Sequence, residues 1–455
     1  MSSASGRPEE LRETLLTTID LATRAGATAA DAIAVHDAAF TAGVRLGEVE
    51  TLTDARQKRL GLRVFVGARS AVSATADLTR PSLARFAADA VALARATRPD
   101  PAAGLPEPDA LAREAPDLDL YDAAAEIPSP DASLGRARAA EAAALGTDPR
   151  LTNSEGAEFS QSATLIAYAS TLGFDGGYRR STFHLAVQPV ATVDGHMQRD
   201  HWYTSARHLE RLDDAESVGR RAAARTLRRL APRRVPTQEA PVIFEAEVAA
   251  SLLGHLAAAV VGQSLYRGTS FLLGRLGDTI ASPLVTVVDD GRLIGGLGSR
   301  PFDAEGLPTR RTVVVEAGRL TSYLLDTYAA RRLGLAATGN AARPVHEGPS
   351  AAPTNFHLTA GSLDPQDIVA SVDRGLLVTQ LIGMGVNPVT GDYSRGAVGL
   401  WIEHGRIAYP VEEITIAGNL LDMFRDVEMV GNDLEFRRGV AAPTLKIRRM
   451  TIAGA

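Results

Sequence analysis

The chain has 455 residues, 45% of them hydrophobic, which is ample for a sizeable core spread over roughly two to four domains. Its 48 Lys and Arg against 54 Asp and Glu leave a formal charge of -6, which repels phosphate and argues against nucleic acid or an anionic membrane as the main partner. The absence of cysteine excludes disulfides, thiolate nucleophiles and Cys-ligated zinc together, and it fits a reducing compartment. The opening Met-Ser-Ser-Ala-Ser-Gly-Arg-Pro holds no apolar core of signal-peptide length. No later apolar run approaches the ~20 residues of a bilayer span, so the expected location is the cytoplasm.

From about Pro8 to Ala25, Leu11, Leu15, Ile19 and Ala22 recur at helical spacing, and Gly26 ends the helix. Two β-like runs follow, about Asp31 to Glu48 and Gln57 to Asp77. A second helix begins near Pro81, with Leu83, Phe86, Ala87, Val91 and Ala94 on one face, and ends before Pro99. Residues 1–99 therefore form an N-terminal α+β region. Pro99, Pro101, Pro106, Pro108 and Pro116 fall close together without periodicity, which makes 100–118 an extended connector.

Residues 119–232 form a middle α+β segment. An Ala-rich helix spans about Ala132 to Leu145, and Phe183, Leu185 and Val187 alternate with polar or small neighbours as in a strand. The helix from about Asp213 to Leu230 opens on acids and closes on arginines, matching its dipole; that pattern covers most of the seven Arg between 220 and 234 without a phosphate-binding role.

From 233 to 455 the texture is β-rich. Val288–Leu293, Val315–Leu320 and Ile402–Ile407 share the order apolar, acid, any residue, Gly, Arg, apolar, the pattern of a tight hairpin with a solvated acid and Arg paired across it. Several short antiparallel strands in one unit favour a barrel or sandwich. The expected class is α+β, with a mostly antiparallel C-terminal domain.

Val242–Phe244 runs into a helix from Ala246 to Val261, followed by Gly262–Leu272; Pro301–Arg311, Ser322–Arg331, Gly383–Ser394 and Thr415–Leu420 are further marked stretches, with Asn153–Gly156 in the N-terminal half. These stretches resemble the TldD/PmbA family of metallopeptidase-related proteins, in its PmbA (TldE) branch. The resemblance implies a pair: a zinc-bearing TldD-like subunit and a PmbA-like one, together cleaving unfolded peptides, as in leader-peptide removal or antitoxin degradation. In the zinc-bearing branch a His-Glu-x-x-x-His helix and a distant Cys hold the metal, and the Glu is the general base. Carried over by position, Ala250 stands at the first His, Ser251 at the Glu and His255 at the second His. A catalytic zinc needs about three protein ligands and a base for its water. The resemblance therefore implies no cofactor in this chain, zinc in the partner subunit, and a non-catalytic role here.

Other chemistry at the same place is weighed against that reading. Ser251 and His255, four apart, share a helix face and sketch a nucleophile pair, but nothing marks a third member or an oxyanion hole. Glu245 and Glu247 could join His255 in a weak metal site, while the simplest role for His255 is packing or donation to a carbonyl. His346-Glu347 is followed by Gly348 and Pro349, which forbid a zinc helix. Gly295–Gly298 and Gly383–Gly385 lack a nucleotide fingerprint and mark turns or close backbone approach. On the resemblance, Gly383, Gly385, Asn387 and Gly391 line a peptide groove. The alternatives are a stand-alone hydrolase with another metal or nucleophile site, and, from the family's older name, a regulator of DNA gyrase.

Overall fold

The first helix, α1 (Pro8–Arg24), buries Leu11, Leu15, Ile19 and Ala22, the four positions its spacing singles out, and adds Thr18. It belongs to a computed structural model that describes residues 8–454; residues 1–7, read above for a targeting signal, lie outside them. Gly26, at φ +104°, turns the chain out of the helix. Strands β1 (Ala29–Arg45), β2 (Glu48–Val66) and β3 (Arg69–Thr75) follow, then α2 (Arg80–Ala96). β2 begins nine residues before Gln57 because residues 48–56 are almost wholly exposed, with Val49 and Leu52 three apart among polar neighbours, so they show no period-2 alternation to detect. Its turn is Leu46-Gly47, both left-handed, with a leucine where Asn or Asp is usual.

After the Pro-rich stretch come α3 (Pro130–Leu145), β4 (Leu151–Ser170), β5 (Asp175–Val193), β6 (His196–Arg199), β7 (Trp202–Ala206) and α4 (Ala215–Leu227). All seven strands form one sheet in the order β3-β2-β1-β4-β5-β6, with β7 also on β5. β1 pairs with β4 from Asp31↔Ser170 to Val44↔Ala157, so strands from either side of residues 100–118 share hydrogen bonds. Alternation then sorts the faces. Ala30, Ala32 and Ala34 of β1 face α1 and α2, and Phe40, Ala42 and Val44 face α3 and α4. Ile33, on the opposite face, meets Phe302 of the C-terminal region. The sheet is thus a middle layer between four helices and the rest of the molecule.

The C-terminal region opens with β8 (Gln238–Phe244), α5 (Ala246–Val260) and α6 (Gly262–Tyr266), then β9 (Val287–Asp290), β10 (Arg311–Glu316) and β11 (Arg319–Leu320). Next are α7 (Thr327–Leu333), β12 (Ala341–Ala342), β13 (Ser350–Ala351), β14 (Phe356–Leu358) and α8 (Pro365–Ala370). The chain finishes with β15 (Arg374–Ile382), β16 (Asp392–Glu403), β17 (Arg406–Asn419), α9 (Leu420–Arg425), β18 (Val427–Val430), β19 (Val440–Ala441) and β20 (Leu445–Ala453). The order β17-β16-β15-β8-β20 closes on itself through β17–β20, making a five-stranded barrel in which only β8 and β15 run parallel. Trp401 and Phe244 fill its core, where closure removes the exposed edges an open sheet would leave. A second sheet, β11-β10-β9-β14-β19, lies in the same region. The α+β class and the mostly antiparallel C-terminal barrel agree with the sequence reading.

Two of the three expected hairpins form. Glu316 faces Arg319 and Glu403 faces Arg406, across turns at Ala317-Gly318 and His404-Gly405 whose residues all have positive φ. The third does not. β9 pairs with β10 and β14 instead, and Asp289 is buried rather than solvated, accepting from Asn340 Nδ2 at 2.6 Å and Thr354 N at 2.7 Å. Partners distant in sequence overrode the local turn signal.

Candidate functional site

Helix α5 begins directly where β8 ends. The Glu245 carbonyl accepts from the amides of Val248 and Ala249, each at 2.8 Å, and starts the first turn. Val248, Ala249, Leu252, Leu253, Leu256 and Ala257 are buried against the barrel core, so the remaining face carries Ala250, Ser251 and His255 outward. Ala250 borders a small cavity of about 60 Å³. Ser251 borders a neighbouring cleft of about 160 Å³. A wider cleft of about 470 Å³ passes Glu245 and Ala246 toward Pro365. Trp202 of β7 touches all three, with the guanidinium of Arg221 over its ring at 3.7 Å and that of Arg437 at 4.9 Å.

Ser251 and His255 share a side of the helix but serve different neighbours. Ser251 Oγ accepts from Arg395 Nη1 at 3.0 Å. The His255 ring stands edge-on to Tyr393 with centroids 6.1 Å apart, and its buried Nε2 makes no hydrogen bond. Burial, and then the charge of Arg395, hold the imidazole below its ordinary value. Burial also pushes the Tyr393 hydroxyl up to about 12. Ser251 Oγ pairs with a guanidinium and the buried His255 Nε2 accepts from no hydroxyl, so a Ser-His nucleophile is not assembled.

These residues do not fit a zinc ion. Ala250 has no donor, Ser251 faces a cation, and His255 is one imidazole. Glu245 is taken up by Arg228, at 2.8 Å from Nη2, and by Arg225, at 3.1 Å from Nη1. Glu247 accepts from the Tyr203 hydroxyl at 2.7 Å. No group of three His, Cys, Asp or Glu among the described residues could hold a metal ion. The weak metal site drawn from Glu245, Glu247 and His255 is therefore not formed.

The arginines between 220 and 234 have structural partners more specific than a helix dipole. Burial raises the carboxyl pKa of Glu245, but Arg228 and Arg225 outweigh it and leave that value lowered. Arg229 donates to Gln380 at 2.7 Å, and Arg233 stacks on Tyr409 at 4.6 Å. α4 is thereby clamped to the start of α5 and to the barrel. His346 and Glu347 lie in an exposed loop, 3.4 Å apart.

Gly383, Gly385, Asn387 and Gly391 share the loop between β15 and β16. Gly383 and Gly391 have φ of +76° and +83°, while a Cβ at Gly385 would lie 1.8 Å from Ser394 O. Asn387 Oδ1 caps the turn by accepting from Val389 N at 3.0 Å, and Gly391 N donates to Asn387 O at 2.8 Å. Val386 bridges to Tyr393, so the loop folds back onto the strand that carries Tyr393 and Arg395. Met384, at 85% exposure, projects from its tip. Arg395 and Trp202 were not singled out in the sequence. The available signal was an arginine alternating with Tyr393 and Ala397 on the buried side of a strand.

Residues 237–454 match the PmbA/TldA metallopeptidase C-terminal domain, residues 124–230 its central domain and residues 30–94 its domain 1. Metalloprotease PmbA of Escherichia coli O157:H7 is 39% identical over 454 residues, covering 100% of this chain and 98% of that one. The chain belongs to the PmbA/TldD metallopeptidase family, in its PmbA (TldE) branch. A crystal structure from Bacteroides thetaiotaomicron, described as a putative modulator of DNA gyrase, has a TM-score of 0.91 at 26% identity, over 98% of this chain and 99% of that one. TldE from Thermococcus kodakarensis has a TM-score of 0.88 over 97% of this chain and 100% of that one; at 23% identity this likeness is one of fold. No helix among the described residues is long and apolar enough to cross a membrane.

Proposed function

We propose that this PmbA-branch chain is the zinc-less subunit of a TldD/TldE-type heterodimeric metallopeptidase. It binds a TldD-like subunit that carries the zinc, and helps to hold unfolded peptide for cleavage there. One observation carries the reading: at the position where the zinc-bearing branch has its general base, Ser251 accepts a hydrogen bond from the buried cation Arg395. A metal site needs donors that concentrate negative charge around the ion. Here a fixed positive charge lies beside the helix, and the first ligand position is a methyl group.

Metal analysis and a peptide-cleavage assay test this directly. The chain purified alone should carry well under one equivalent of zinc and leave an unfolded peptide intact. Addition of a TldD-like subunit with the His-Glu-x-x-x-His helix should produce cleavage that a chelator abolishes. Stoichiometric zinc bound through His255, or cleavage by this chain alone, would overturn the proposal.

A further inference from the structure

The 160 Å³ cleft beside Ser251 contains a buried guanidinium, that of Arg395, with no ion-pair partner among the described residues. Arg395 is only 9% exposed, its Nη1 donates to Ser251 Oγ, and its Nε makes no hydrogen bond. Other cations buried to the same depth have either a paired carboxylate or, with Arg229 Nε also unpaired, more extensive polar contacts. Arg63 has Asp31 and Glu305, and Lys446 has Glu428 at 3.3 Å. Arg207 donates to Ser181 O at 2.7 Å, to Gly296 O at 3.3 Å and to Leu297 O. Arg229 has Gln380, with the charge of Asp200 nearby. Burying an ion is costly unless it is paired, so a guanidinium at a cleft wall with only the neutral hydroxyls of Ser251 and Tyr393 beside it is a site awaiting an anion.

The rest of the lining narrows the chemistry. Arg225, Arg395 and Arg438 face the cleft against Asp200 and Glu247, three guanidiniums to two carboxylates. Arg225 lies 3.3 Å from Asp200, whereas Arg438 has no ion-pair partner among the described residues and stacks over Tyr203 at 4.6 Å. One excess positive charge suits a singly charged carboxylate, and a phosphate dianion would be repelled by the two acids. Planar guanidinium also matches a carboxylate in geometry. We infer that this cleft is a carboxylate-binding subsite, with Arg395 as its anchor and Arg438 at its mouth, that receives one acidic group of a bound peptide. The inference deepens the peptide-holding role proposed above and rests on it. The carboxylate can come from an acidic side chain or from a peptide C-terminus.

The test uses the full chain and three tripeptide probes: N-acetyl-alanyl-glutamyl-alanine amide, its glutaminyl counterpart as the amide, and the glutaminyl peptide with a free C-terminus. Calorimetric titration should give at least about tenfold tighter binding for one of the two carboxylate-bearing peptides than for the neutral one, and which one it is names the source. Arg395→Gln should erase that difference. Arg395→Lys, which keeps the charge, should retain part of it and guards against a folding defect in the first variant. Equal binding of all three peptides, or discrimination that survives Arg395→Gln, overturns the inference while leaving the peptide-holding role intact. Trp202 borders the cleft, so acetate should change its emission saturably. Acetate binding lost in Arg395→Gln, with no peptide bound at all, would support the carboxylate subsite and sink the peptide-holding role instead.

Discussion

Arg343 Nη1 donates to Asp31 Oδ1 at 2.8 Å across 312 positions of sequence. Asp31 also accepts from Arg63 Nε at 3.0 Å and from the Tyr168 hydroxyl at 3.2 Å, and Arg63 reaches Glu305 at 3.4 Å. This cluster lies in the contact between the seven-stranded sheet and the C-terminal region. Two arginines share one fully buried carboxylate, so removing its charge strands Arg343 and leaves Arg63 with Glu305 alone. Asp31→Asn should cost about 3–5 kcal/mol, seen as a lower urea midpoint with an unchanged slope. A loss under about 1 kcal/mol would show that the cluster does not hold the layers together.

Asp326 gives a pH signature of opposite sense to ordinary acid unfolding. Burial, and next the charge of Glu305, push its carboxyl up from 3.8 to about 6. The folded state therefore keeps this proton after the unfolded chain has lost it. The stability it contributes is complete below about pH 4 and is lost as pH rises through about 6. The stability difference between the parent and Asp326→Asn, measured by urea unfolding across that window, should fall with pH at a slope approaching about 1.4 kcal/mol per unit. A flat difference curve would contradict it.

His255 should behave in the reverse way. Its folded value is lowered, so the stability it contributes is present above 6.5 and is lost as pH falls through the folded value. Proton NMR titration of its ring should give a midpoint below 6.5, and Arg395→Gln should move that midpoint upward by removing the nearby charge. An unchanged midpoint would mean that burial alone sets it.

The β15–β16 loop separates two kinds of glycine. Gly383 needs only its positive φ, with open space around it, so Gly383→Ala should cost about 1–2 kcal/mol, the strain of a left-handed alanine. Gly385 abuts Ser394 O, and Ser394 N donates to Gly385 O at 2.7 Å. Gly385→Ala should break that bridge and speed amide exchange at Ser394 at least about tenfold, while Gly383→Ala leaves it slow. Equal exchange in the two variants would refute the distinction.

Helices were legible wherever their apolar period faced one partner, as with Leu11, Leu15, Ile19 and Ala22. The first half of β2 was not, because residues 48–56 are exposed on both faces and carry no alternation. The Asp289 turn misled for the opposite reason: its acid was drawn inward by Asn340 and Thr354, which no local window contains. The candidate site divides along the same line. Ala250, Ser251 and His255 were visible as a depleted motif, whereas the cation beside them was not.

The sequence by itself determined what is chemical and local: which donor atoms are missing at 250 and 251, where helical period begins and ends, and which turns accept left-handed backbone at Gly318 and Gly405. Only the tertiary structure decided that β17 and β20 close the barrel, that Asp31 holds Arg343, and that Arg395 stands against Ser251. Local propensity acts over a few residues. Pairings between distant residues are chosen by burial of apolar faces, which carries along whatever charges those faces bear, and a buried charge must then find its partner in space rather than in sequence.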